Sequence, residues 1–123
     1  MDINELENLS NRIVKRCMPE EGEGKVEDKQ RFIELFAGVE SSIGALLYET
    51  VKIVLITSVA TLTKETLHEW IRNKKEEKIK EVKKRIKNVS LKNLKSRGIG
   101  EVNAELIAIT IADAAEAEIK NLG

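Results

Sequence analysis

Between Arg72 and Gly100 the chain carries twelve Lys or Arg and three acids, a net charge of +9. One apolar row runs through this charge: Ile79, Val82, Ile86 and Val89, at steps of three and four residues. A segment so charged cannot be enclosed on both faces, as a central strand would be. A single apolar row at helical spacing is what a one-sided amphipathic helix buries. Such a helix needs other helices to pack against. The pattern predicts one helix from a Thr61 or Thr63 cap to Val89, a rod of about 26 residues and roughly 39 Å. The row is heptad-like, and its partner is another helix of this chain or the same helix of a second copy. Ile79, Val82, Ile86 and Val89 are therefore the candidate interface.

The whole chain holds 21 basic and 21 acidic residues, so everything outside this stretch carries −9. That asymmetry is the strongest functional clue. After Glu81 there is no acid until Glu101, and Lys83, Lys84, Arg85, Lys87, Lys92, Lys95 and Arg97 fall in that interval. Lys80, Lys83, Lys84 and Lys87 line one helical strip, which suits a phosphate backbone bound by charge and counterion release. Aromatic residues do not interleave with it, so such binding would read little sequence. The rival reading is neutralisation of the rod by an acidic protein partner or within a homo-oligomer.

The other segments also read as helices. Ile3, Leu6, Ile13, Val14 and Cys17 recur at helical steps over residues 2–18, with Asp2 as cap and Pro19 as terminator. PEEGEGKVED, residues 19–28, reads as an acidic flexible linker. A second helix starts near Asp28, and Phe32, Ile33, Leu35, Phe36, Val39, Ile43, Leu46 and Leu47 form its stripe. Gly38, Ser41, Ser42, Gly44 and Ala45 make a small-residue patch within it. TVKIVLITSVA, residues 50–60, is rich in β-branched residues that favour strands. Continuation of the second helix is the better assignment, because the only comparable run is LIAITIA near the C-terminus, and two strands make a poor sheet. Ser90 reads as the cap of a short helix. Residues 101–123 form the last helix, with Val102, Leu106, Ile109 and Ile119 on its apolar face and Ala104, Ala108, Ala112 and Ala115 on a close-packing one. The expected fold is all-α: a single domain over 1–123, four or five helices in one bundle.

GIGEVNAELIA, residues 98–108, resembles the second half of a helix-hairpin-helix motif. Gly98, Ile99 and Gly100 match the hairpin, Ala104 the small residue where the helices cross, and Ile107 the next apolar contact. The resemblance implies DNA contact without sequence preference, with the Gly98 and Gly100 amides as a phosphate nest. The chain departs from the pattern at Ser96 and Asn93, where the motif has apolar residues; Leu94 and Leu91 stand beside them.

Catalytic signals are sparse. There is no phosphate-binding loop, dinucleotide fingerprint or serine-nucleophile elbow. Cys17 is the only cysteine, which excludes an intrachain disulfide and suits a cytoplasmic protein. His68 is the only histidine, flanked by Glu65 and Glu69 on one helical surface. A metal-dependent enzyme centred there is the second alternative to binding, although the spacing offers no further nitrogen or sulfur ligand. Trp70 suits base stacking or the core. The run from Ile43 to Leu62 contains Glu49 and Lys52, which argues against a membrane span. Abundant Ile, Lys and Glu, with one Pro and one Gln, resemble the composition of proteins that work at high temperature. The expected function is non-enzymatic, without cofactor or metal: nucleic-acid backbone binding or a subunit place in a nucleoprotein complex. A self-associating structural or adaptor protein is the first alternative.

Overall fold

The Asp2 carboxylate accepts a hydrogen bond from the Glu5 amide at 2.8 Å and starts the first helix, α1, Ile3–Cys17. In the computed structural model, residues 1–18, 26–37 and 42–122 are described, and they contain helices and no strand. α2 spans Val26–Glu34, so the end of the expected linker is already helical. Residues 19–25 of that linker, and Gly38 and Ser41 of the small-residue patch, lie outside the described residues.

Ser42 accepts from the Ala45 amide and opens α3, Ile43–Ser58. The β-branched stretch is thus helical, but in a helix with its own cap and not as the expected continuation of the second helix, which ends at Glu34. A helix satisfies its own backbone, whereas an isolated strand could not. Thr50, Val51, Val54, Leu55 and Ser58 make its buried stripe.

The expected rod is two helices. Thr63 caps α4, Lys64–Arg72, by accepting from the Thr66 amide at 3.1 Å. α5 runs Glu76–Ser96. Between Ile71 and Ile79 stand seven residues without one apolar side chain, nearly two turns with nothing to hold a continuous helix to the core. The chain breaks there in a Schellman turn. The Lys75 amide donates to the Trp70 carbonyl at 2.7 Å and the Lys74 amide to the Ile71 carbonyl at 3.2 Å. Lys74 takes the left-handed conformation, φ 53°, where glycine is the usual occupant. Ser90 caps nothing: it sits inside α5, buried, and its hydroxyl has no partner among the described residues.

A second Schellman turn closes α5. Gly98, φ 88°, donates to the Lys95 carbonyl at 3.1 Å, and the Ile99 amide to the Leu94 carbonyl at 3.2 Å. Leu94 and Ile99 are both buried, the apolar contact that accompanies this turn. α6, Glu101–Lys120, then runs back antiparallel to α5. The described fold is a bundle of six helices rather than four or five. Its core joins Leu9 and Ile13 of α1, Leu47 and Val54 of α3, Leu67 of α4, Ile86 of α5 and Ile107 of α6. None of the described helices is long and apolar enough to cross a membrane.

Of the two faces expected on the last helix, the alanine-lined one turns inward together with Ile119, while the rest of the apolar one does not. Ala104, Ile107, Ala108, Ile111, Ala112, Ala115 and Ile119 are buried. Val102, Leu106 and Ile109 face solvent, 72%, 47% and 37% exposed. The alanines decide this, because small side chains let α5 approach closely while Ile107 and Ile111 fill the space beside them. The candidate seam on α5 is also spoken for. Ile79, Val82 and Ile86 are buried and Val89 half-buried within the one chain, so the row packs inside the chain and only Val89 keeps some exposed surface.

Candidate nucleic-acid interface on the α5–α6 hairpin

The long gap in acids along the sequence is filled in space. α6 brings its carboxylates alongside the lysines of α5. Lys83 reaches Asp113 at 2.9 Å and Glu116 at 3.3 Å. Lys87 stands 4.0 Å from Glu105, and Lys95 3.5 Å from Glu101. Lys120 of α6 reaches back to Glu76 at 3.4 Å. Arg97, beyond the end of α5, meets Glu49 of α3 at 3.4 Å. The hydrogen bond to Asp113 leads the effects that raise the Lys83 pKa above its ordinary 10.5, and Glu116 adds to it. These pairs are solvent-exposed and each contributes little to stability. Their larger effect is to cancel charge.

The proposed contact residues therefore divide. Lys83, Lys87, Lys95 and Arg97 are paired within the chain. Lys84, Arg85 and Lys92 are exposed, and among the described residues none has a carboxylate within 4.0 Å. Lys80, one turn before Lys84, is exposed and unpaired in the same sense. The Gly98 amide is engaged inside its own turn. Gly100 caps α6, with its carbonyl accepting from the Ala104 amide at 2.8 Å. Glu101 occupies the first turn of α6 and places a carboxylate where a bound phosphate would gather positive potential. α5, the Gly98 turn and α6 follow one another as helix, turn and helix, and Ala104 and Ile107 are buried. The proposed nest keeps only the Gly100 amide.

The remaining candidates are quickly placed. His68, Glu65 and Glu69 are exposed on α4. Among the described residues no three His, Cys, Asp or Glu side chains converge to hold a metal ion. Trp70 is half-buried against the core. Cys17 is buried, and its thiol lies 3.9 Å from the Thr110 carbonyl. Burial pushes that thiol up to about 12 against a small opposing pull from Arg16, so it is protonated and unreactive near neutrality. Arg16 itself braces α1 on α6 through the largely buried Glu118 at 3.0 Å.

Sequence reasoning missed the outer face of α6. Val102, Leu106 and Ile109 recur at the i, i+4, i+7 spacing of one helical face. They were visible as an apolar row; what betrays their exposure is the second, alanine-lined row on the same helix. Comparison with family models, with curated proteins and with solved structures returned no match.

Proposed function

We propose that this chain is a non-enzymatic nucleic-acid-binding protein, a small helical subunit that lays the outer side of α5 along a phosphate backbone. One observation carries the reading. After α6 has neutralised its neighbours, Lys80, Lys84, Arg85 and Lys92 still project without an acidic partner among the described residues. Twelve residues of helix separate the first from the last, ~18 Å along the axis. That is room for several phosphates of a duplex strand spaced at about 3.4 Å along its axis. Arg85 can grip a phosphate with two parallel N–H groups, while the lysines act as point charges.

Four cations make a modest site with a defined salt dependence. Releasing about four counterions gives log K a slope near −3.6 against log salt on duplex DNA. Affinity should then fall roughly a hundredfold between about 50 and 200 mM salt. Fluorescence anisotropy against single- and double-stranded DNA and RNA tests this. Arg85→Glu/Lys92→Glu is expected to abolish binding, and Lys83→Gln to leave it nearly unchanged because Lys83 is already neutralised. Absence of binding at low salt, or equal losses in the two variants, overturns the reading.

A further inference from the structure

α6 is apolar on two sides, and among the described residues only one of them is covered. Its inner row is buried against the bundle, whereas Val102, Leu106 and Ile109 form an outer row of large apolar side chains. A helix apolar on both faces usually lies inside a larger body. Contiguous exposed apolar surface with a polar border marks an interaction site more often than scattered residues do. Here the row is contiguous and bordered. On the α5 side an open hollow of about 300 Å³ is walled by Lys80, Lys83, Lys84 and Lys87, with Ile109 and Ala112 as its floor. On the α2 side a second hollow of about 740 Å³ is lined by Phe32, Leu35, Leu106 and Ile109, with Arg31 and Glu34 at its edge. Ile109 lines both hollows, so the outer row of α6 runs between them.

The two walls differ in charge. The α5 wall has four lysines, of which Lys80 and Lys84 are unpaired among the described residues, against one lining carboxylate, Asp113. On the α2 wall Arg31 and Glu34 cancel. We propose that this outer face of α6, with the hollows beside it, seats an amphipathic helix of a partner protein, apolar towards Val102, Leu106 and Ile109 and acidic along the edge that faces α5. The outer row extends over seven residues, ~10 Å of helix. It matches a partner presenting apolar anchors at i, i+3 or i+4, and i+7, the usual spacing for a helix laid in a groove. Lys80 and Lys84 stand in both this edge and the proposed phosphate contact, so nucleic acid and partner helix compete for the α5 side of the chain.

Two synthetic peptides of about 18 residues, long enough to hold helix, test the proposal. Both carry leucines at the anchor spacing; one has Glu on the flanks and the other Lys at the same positions. Binding is read by fluorescence anisotropy, and its location by methyl NMR of Leu106 and Ile109. The Glu peptide is expected to bind at least tenfold more tightly than the Lys peptide and to shift both methyl signals. Leu106→Glu, an exposed substitution whose fold is checked by circular dichroism, should weaken it at least tenfold. Lys80→Glu/Lys84→Glu should erase the preference between the peptides. Equal affinity for both peptides, no binding by either, or shifts away from α6 overturns the proposal. So does a dimer of the chain alone, seen by sedimentation equilibrium, that Leu106→Glu converts to monomer, because the occupant is then a second copy.

Discussion

α5 and α6 are joined by a four-residue turn, are nearly equal in length, and lie side by side, yet they are built on opposite rules. α5 has one apolar row in a field of charge, so its inner face has no competitor. α6 has two apolar rows: the inner one sets alanines beside Ile107, Ile111 and Ile119, and the outer one is Val102, Leu106 and Ile109. The difference shows that an apolar row at helical spacing is not by itself a buried face. Where two faces are apolar, the one that lets the backbones approach wins, because close packing adds dispersion contacts along the whole interface.

The sharpest attack on that comparison is a pair of truncations on adjacent residues of α6. Ile107→Ala removes a fully buried side chain and should cost about 2–5 kcal/mol in urea denaturation. Leu106→Ala, beside it, should cost at most about 1 kcal/mol, little beyond its partial burial. Equal losses would mean that the two faces are not distinct.

A second test concerns the seal between α1 and the inner side of α6, where Cys17 sits. Its folded pKa is raised, so its proton favours the folded state, fully so below the unfolded value of 9.0. Above 9.0 the unfolded chain releases that proton and the folded chain keeps it until about 12. Stability should therefore fall as pH rises through this window, by at most about 1.4 kcal/mol per pH unit from this group. The raised pKa of Lys83 acts in the same direction above its ordinary 10.5. Chemical unfolding at a series of alkaline pH values should give a clearly shallower decline for Cys17→Ala than for the wild type. Parallel curves would mean that water reaches the thiol in the folded state.

Smaller effects are expected on α5. Lys74→Gly relieves a left-handed non-glycine residue at the α4–α5 break and should stabilise by about 1 kcal/mol; a loss of Tm would mean that the break is not as described. Ser90→Ala removes a buried hydroxyl that has no partner among the described residues. It should leave stability unchanged or raise it by up to about 1 kcal/mol, and a clear loss would reveal a hydrogen bond there.

Much of the helical content was legible in the sequence. Asp2 and Thr63 cap where their residue types predict, and the β-branched run from Thr50 is helical because no sheet awaits it. Three features were hidden, each for a physical reason. The α4–α5 break carries neither proline nor glycine, so only the missing apolar anchor between Ile71 and Ile79 signals it. The inner face of α6 depends on the competition between two rows, which periodicity cannot settle. The division of the basic residues was invisible because Lys83 and Asp113 are thirty residues apart in the chain and 2.9 Å apart in the fold. Lys84, Arg85 and Lys92, unpaired among the described residues, belong to the candidate set read from the sequence, but nothing local distinguishes them from their neutralised neighbours.

The glycine turn after Ser96 also bears on the order in which the structure can assemble. Its two hydrogen bonds reverse the chain within a few residues, so α5 and α6 meet across a very short loop. Closing such a loop takes little chain entropy compared with bringing α1 to α6 from the other end of the sequence. Contacts that are local in sequence also speed folding. The hairpin is therefore the cheapest place for tertiary structure to begin, and α1 docks onto a surface already formed. Truncations at Ile86 and Ala108 should then slow folding nearly as much as they destabilise, while those at Leu9 should mainly hasten unfolding. The reverse pattern in stopped-flow measurements would place the nucleus elsewhere.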